Sequence, residues 1–276
     1  MRTLATLMFL AVFNPLALAE QDCEPSHWGP DDQLGSANRV TAESVLAASR
    51  LIKTGKTYAL GMVVDDQSPA YAPRNFNLQV VQPGQQFGRQ AMPNLTYNDD
   101  ILISWLGIGS QLDGLGHIGD AEGMYYNCHD GREISDLGGL SRLGVHQVPP
   151  LVARGVVLDM AGHKGVTHMK AGEYFTVEDV KAVERKQGTP IREGDVVLFH
   201  TGWTEAMLEK DPVAWVSGEP GQSEEVASYL AAKGVLAVGA DTWGVDVIPA
   251  VNSDAPFPGH VVLLKENGIY LLETMN

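Results

Sequence analysis

The 276-residue sequence contains few cysteines and few basic residues, and each shortage excludes a class of protein. Its two cysteines, Cys23 and Cys128, do not form a Cys-x-x-Cys pair, which argues against a structural zinc site with thiolate ligands. Lysine and arginine total 19 against 34 aspartates and glutamates, so the formal net charge is −15. Because such an acidic surface repels polyanions, we expect no nucleic-acid partner and no binding to anionic membranes.

A long hydrophobic run is also missing beyond the N-terminus, so the sequence predicts no transmembrane helix, which needs about 20 apolar residues. The N-terminal segment has the three parts of a secretory signal peptide: Arg2, an apolar run over residues 4–12, and a small-residue cleavage pattern before Glu20. A buried N-terminal helix is the alternative, and Pro15 makes it less favourable because proline breaks helices.

We expect cleavage of residues 1–19, which leaves residues 20–276 as a single domain that is periplasmic or secreted. In an oxidising compartment, Cys23 and Cys128 could form one disulfide that ties down the new N-terminus. Two free thiols are the alternative. The even number of cysteines and the signal peptide favour the disulfide.

Apolar runs that alternate with helical patterns indicate an α/β protein with a buried sheet. The expected strands are residues 58–64, 100–106, 155–159, 195–199, 235–240 and 269–273, although Asn267-Gly268 could instead make the last region a hairpin. The expected helices are residues 41–53, 176–186, 223–233 and 260–265, the first of them with its inward face formed by Val45, Leu46, Ala48 and either Leu51 or Ile52. Residues 67–99 are rich in Pro, Asn and Gln without a period, which predicts a loop or flap.

The glycine-rich segment 107–117 concentrates the polar groups that chemistry needs. Gln111 and Asp113 are two residues apart, so in an extended chain their side chains point to the same face. His117 follows after three residues of flexible backbone. Asp and His are common metal ligands and Gln offers a carbonyl oxygen, so the spacing favours a metal site. The alternative is a surface turn with a solvated Asp113 and an incidental His117.

Several further motifs together carry a resemblance that covers nearly the whole mature chain. They are residues 28–35 (WGPDDQLG), 154–159 (RGVVLD), 194–198 (GDVVL), 201–203 (TGW), 239–241 (GAD) and the closing segment 260–273. The chain resembles the cyclase family of metal-dependent hydrolases, which includes bacterial arylformamidases, isatin hydrolases and trans-dienelactone hydrolases. The resemblance implies an α/β fold of the swivelling β/β/α sandwich type.

The signature of that family, His-x-Gly-Thr-His-x-Asp-x-Pro-x-His, matches this sequence only in part. Gly107 stands at the first histidine and Gln111 at the second, whereas Asp113 and His117 match the aspartate and the last histidine. The missing histidines ligate one metal in the two-metal relatives. The resemblance therefore implies a single divalent ion here, manganese or zinc, held by Gln111, Asp113 and His260, with Glu273 as a ligand or as a partner of one.

The resemblance also implies an activity, the hydrolysis of a small amide or lactone in which His117 acts as general acid and base. The oxygen-rich ligand set favours manganese over zinc. Trp105 and Trp203 could stack on a small-molecule substrate, although tryptophans near strands are more often core residues. Family resemblance further suggests a homo-oligomer. The alternative function is that of a periplasmic small-molecule binding protein or an inactive relative, because two signature histidines are substituted.

Overall fold

The computed structural model describes residues 23–81, 97–251 and 256–276. The predicted signal peptide lies outside these residues, as does the greater part of the second half of the predicted 67–99 loop. Within the described ranges, no helix is long and apolar enough to cross a bilayer. The chain forms a mixed α/β fold with one larger sheet and several small ones, which confirms the predicted fold class.

A five-stranded sheet organises the fold. The strands of the described residues are β1 (Phe76–Val81), β2 (Asp99–Ser104), β3 (Gln111–Asp113), β4 (Met124–Tyr125), β5 (His129–Asp130), β6 (Ser135–Asp136), β7 (Gly139–Leu140), β8 (Gly155–Asp159), β9 (Tyr174–Phe175), β10 (Val196–His200), β11 (Gly221–Gln222), β12 (Ala237–Ala240) and β13 (Tyr270–Glu273). The central sheet has the order β3-β13-β12-β10-β8. Its last four strands run parallel, and β3 pairs antiparallel with β13 at one edge. The four parallel strands correspond to four predicted ones.

The described residues also form helices. They are α1 (Ala42–Ser49), α2 (Gly131–Ile134), α3 (Met160–Lys164), α4 (Val177–Gln187), α5 (Trp203–Met207), α6 (Pro212–Ser217), α7 (Glu224–Lys233) and α8 (Pro258–His260), which runs into a π-helical segment Val261–Glu266. Short 3₁₀ turns occupy Gly35–Arg39, Tyr126–Cys128 and Val145–Gln147.

The predicted helix signals of α4 are confirmed. Thr176 accepts a hydrogen bond from the Asp179 amide while the Asp179 side chain accepts one from the Thr176 amide, and Gly188 ends the helix in the left-handed conformation. Its apolar face, which includes Val180 and Val183, is buried in the same core as Leu158 of β8. Burial of this kind, rather than helix propensity, supplies most of the stability of a short helix.

A disulfide and several hydrogen bonds attach the N-terminal arm, residues 23–32, to the rest of the protein. Cys23 and Cys128 form a disulfide across a separation of 105 residues, which confirms the predicted pairing. The adjoining Asn127 side chain accepts a hydrogen bond from the Ser26 amide and donates to three backbone carbonyls of the arm, those of Gly29, Pro30 and Asp32. One disulfide and four hydrogen bonds therefore tie the arm to the turn at residues 127–128.

Two predictions for the N-terminal third are wrong. Residues 58–64 form no strand, because their only sheet-type contact is an isolated bridge between Gly61 and Met275. Helix α1 ends at Ser49, and Leu46, Leu51 and Ile52 are more than half exposed. An apolar pattern produces a strand or a buried face only where a partner covers it, and the described part of the chain offers none here.

The predicted 67–99 loop also needs correction, because it contains strand β1. This strand pairs antiparallel with β2 and forms a two-stranded ribbon separate from the central sheet. The Asn and Gln side chains that suggested a loop stand on the exposed ribbon, where a polar side chain costs nothing. Several apolar side chains of the ribbon are exposed as well, among them Leu78, Val80, Ile101 and Ile103.

Candidate metal centre

Strand pairing brings three polar side chains to one face of the sheet edge. In the β3–β13 pair, Gln111 stands opposite Glu273 and Asp113 stands opposite Leu271. Directly paired residues share a face, and residues two apart on a strand do as well. Gln111, Asp113 and Glu273 therefore project together, as the spacing of the first two predicts.

His260 reaches the same point from the short helix α8. Its ring Nδ1 and its backbone amide both lie within hydrogen-bonding distance of Asp246 Oδ2, at 3.0 and 3.1 Å. Its Nε2 lies 3.0 Å from Glu273 Oε1. Gly259 makes this approach possible, because a Cβ at that position would lie 2.1 Å from Asp246 Oδ1.

The donor atoms of Asp113, His260 and Glu273 all lie within 4.8 Å of one another, and the three residues are buried. Asp113 Oδ2 has no hydrogen-bond partner in the described chain, although it is fully buried. The Nε2 atoms of His260 and His117 stand 3.9 and 3.7 Å from it, too far for hydrogen bonds. Donors that share an ion at about 2.1 Å lie roughly 3.0–3.4 Å apart, so small shifts would let this set hold a divalent cation.

Gln111 bridges the carboxylates of Asp113 and Glu273 through its amide nitrogen rather than presenting its oxygen to the cluster. Its Nε2 donates to Asp113 Oδ1 at 2.9 Å and to Glu273 Oε2 at 2.7 Å. One amide group thus fixes the orientation of both acids. The role of Gln111 as a metal ligand stays a prediction, whereas its place beside Asp113 and Glu273 is a feature of the structure.

Burial and the neighbouring carboxyl groups shift the pKa values of the side chains in the cluster. Burial by itself lowers the pKa of His260, but its hydrogen bonds to Asp246 and Glu273 outweigh that effect and raise the pKa to about 10. Burial also raises the pKa of Glu273 to about 7, despite the opposing hydrogen bond from His260. These hydrogen bonds favour the protonated imidazole, so an ion that binds its Nε2 competes with a proton.

His117 stands at the rim, where the cluster meets solvent. Its side chain is 37% exposed. Burial lowers its pKa, the Asp113 charge raises it, and the positive charges of His260 and Arg74 lower it again, so the net shift is downward. The neutral form that can accept a proton is therefore favoured at neutral pH.

A cleft of about 420 Å³ opens onto Asp113 and His117. Trp105 lines it and is 49% exposed, which leaves its ring available to a ligand. Trp203 is only 4% exposed and lies within 3.4 Å of the Trp215 carbonyl in the core. This burial favours the core alternative for Trp203, and its role as a substrate contact stays a prediction.

The residue behind His260 could not be identified from the sequence. Asp246 follows β12 in an irregular segment, and no spacing connects it to position 260. Asp241, directly after the same strand, instead accepts hydrogen bonds from the Thr201 and Gly202 amides. An acid shortly after a buried parallel strand was the one available signal, because ligand sites often form at that edge of a sheet.

The sheet and the buried acid–imidazole cluster define an α/β protein with a candidate metal centre. The chain belongs to the putative cyclase family, whose family model matches residues 58–247. The predicted resemblance is thereby confirmed. No curated protein matches the sequence significantly.

Solved structures show the same fold. A crystal structure described as a novel cyclase is 28% identical, with a TM-score of 0.79 over 90% of this chain and 82% of that one. Isatin hydrolase A from Ralstonia solanacearum is 20% identical, with a TM-score of 0.60 over 86% and 85% of the two chains. Isatin hydrolase A from Labrenzia aggregata is 18% identical, with a TM-score of 0.58 over 79% of each chain.

The contact between Asp246 and His260 yields a prediction about metal affinity. We expect Asp246→Asn to weaken binding of manganese or zinc by about 10- to 100-fold, because a partner behind a ligating imidazole fixes its tautomer and orientation. The measurement is a competition titration against a chromophoric chelator. Asp159→Asn is the matched control, since it removes another carboxylate that faces a histidine, His200, outside the cleft. Equal affinities for the folded Asp246→Asn variant and the wild type would contradict this role.

Proposed function

We propose that the protein is a metal-dependent hydrolase that opens a small amide or lactone. The observation that carries the proposal is the buried cluster of Asp113, His260 and Glu273, which contains an unpaired carboxylate oxygen and faces a cleft with His117 at its rim. Membership of the cyclase family and the hydrolase neighbours support the same class of enzyme.

Asp113, His260 and Glu273 would hold one divalent ion, with Gln111 as a further ligand or as the group that orients the two acids. The ion is manganese or zinc, and the predominance of oxygen donors favours manganese. When bound, it supplies Lewis acidity towards a carbonyl oxygen and makes water more acidic. Asp246 would keep the His260 ring in the orientation that presents Nε2.

His117 carries out the proton transfers. Its neutral ring accepts a proton from the attacking water as the water oxygen bonds to the carbonyl carbon. The bond from that carbon to the nitrogen or oxygen of the leaving group then breaks, and His117 returns the proton to that atom. The products are a carboxylic acid and an amine or alcohol, joined in one molecule when the substrate is cyclic.

A cyclic amide is a substrate of the right size for the cleft. An isatin hydrolase with the same fold, 20% identical, has been solved with the product analogue thioisatinate. The exposed face of Trp105 provides a surface on which a planar ring of this kind would stack. The second candidate function is small-molecule binding without catalysis, and the glutamine and glycine at two signature histidines favour it.

His117→Ala separates the two functions. With substrates of three classes, isatin as a cyclic amide, formanilide as an open amide and dihydrocoumarin as a lactone, we expect kcat to fall about 10²- to 10⁴-fold while metal content is retained. His200→Ala is the control, because that imidazole pairs with Asp159 at the surface. Undiminished turnover in His117→Ala would contradict the acid–base role. A metal-loaded wild type that binds these compounds without hydrolysing them would support the binding-protein function.

We also propose that the protein is a homo-oligomer whose contact includes the β1–β2 ribbon. Isolated two-stranded ribbons are marginal in water, and this one exposes apolar side chains on both faces. We expect light scattering to give a dimer or larger assembly, and Ile103→Asp to dissociate it. Val213→Asp, an equally exposed site on α6, should leave the assembly intact. A monomeric wild type would contradict the proposal.

A further inference from the structure

Arg74 lies between two cavities beside the candidate metal centre. One is the cleft that contains Asp113 and His117, and the other is a small cavity of about 20 Å³ bordered by Gln111 and Trp243. In the described chain, Arg74 is the only lysine or arginine that borders either cavity. Its guanidinium is therefore the fixed positive charge available to a ligand in this cleft.

The guanidinium packs on a position where any side chain would displace it. Its Nη1 donates to the Gly107 carbonyl at 2.6 Å, and a Cβ added at Gly107 would lie 2.6 Å from the same nitrogen. Gly107 occupies the position of the first signature histidine. The absence of a side chain at Gly107 leaves space that the positively charged Arg74 guanidinium occupies.

Among the described residues, most of the donors on this guanidinium have no acceptor. Arginine carries five N–H donors, and one side-chain hydrogen bond, to Gly107, is formed within the described residues. No carboxylate there pairs with Arg74, although the chain carries a net charge of −15. Arginine presents its donors as a planar fork that matches the two oxygens of a carboxylate.

We propose that Arg74 binds a carboxylate that the substrate carries beside the bond to be hydrolysed, so that the enzyme prefers anionic substrates. This specificity rests on the hydrolase function proposed above, since it assigns a substrate group to the same cleft. Gly107 is a positioning residue, because a side chain at this position would displace the guanidinium. Tyr71 and Trp243 also line the small cavity, and their rings meet edge to face at 4.6 Å.

Two ligands of one shape test the assignment without turnover. Benzoate and benzamide share a ring and differ in charge, and isothermal titration gives their affinities for the protein loaded with manganese. We expect Arg74→Gln to weaken benzoate at least about tenfold, since hydrogen bonds between charged groups contribute about this much, and to change benzamide less than about twofold. Arg74→Lys keeps the charge but loses the fork, so it should recover only part of the benzoate affinity.

Gly107→Ala provides a second variant, because its methyl group would displace the flexible end of Arg74 without removing it. We expect the same selective loss of benzoate affinity. Arg132→Gln is the control, since that arginine is exposed and pairs with Asp130 outside the cleft. Unchanged benzoate affinity in Arg74→Gln would overturn the proposal. An equal loss of affinity for benzoate and benzamide would also overturn it, because it would indicate that Arg74 stabilises the local structure and does not bind the carboxylate.

A matched pair of substrates then distinguishes recognition of the substrate from binding of the carboxylate product. 2-Formamidobenzoate and formanilide share the scissile bond and differ by one carboxylate. We expect wild type to favour the anionic compound in kcat/KM and Arg74→Gln to lose that preference. If Arg74→Gln leaves the ratio of the two kcat/KM values unchanged and only weakens inhibition by the carboxylate product, the proposal is contradicted. Absence of hydrolysis or of bound metal would count against the hydrolase function alone, because the benzoate titration can be repeated on the protein as purified.

Discussion

The burial of several carboxylates around one imidazole is the constraint on which the rest of this site depends. Asp113, Asp246 and Glu273 surround His260, so three carboxyl groups face a single imidazole. Burying negative charge is costly unless it is paired, and burial raises the pKa of Glu273 for the same reason. A divalent cation next to the unpaired Asp113 Oδ2 would balance the charges. The cluster is thus better explained as a cation site than as a structural ion pair.

The fold supplies this cluster through pairings that are distant in sequence. Strand β3 joins the sheet only at its edge, through antiparallel pairing with the last strand, β13, and this register places Gln111 against Glu273. His260 comes from the helical turn that precedes β13, and its ring is held from behind by Asp246. Three separate segments therefore meet at one sheet edge. Side chains held in this way keep their geometry because the elements that carry them are packed, as a catalytic site requires.

The sequence predicted the parts of this arrangement that follow from local patterns. The parallel strands were evident as apolar runs, the ends of α4 from Thr176 and Gly188, and the common face of Gln111 and Asp113 from their spacing. Contacts without a local pattern were not predictable. Asp246 lies in an irregular segment, and Arg74 meets Gly107 across 33 residues. Residues 58–64 were misassigned for a related reason, because composition does not reveal which partner covers a backbone segment.

The metal content of the purified protein tests the central claim most directly. Elemental analysis of wild type and of Asp113→Ala, each checked for folding by circular dichroism, would give the number of ions per chain. The account predicts about one manganese or zinc ion in the wild type and its loss in the variant, because Asp113 carries the unpaired oxygen. A wild type that holds no metal even after incubation with manganese and zinc would contradict it, since the buried acids would then be balanced by protons alone.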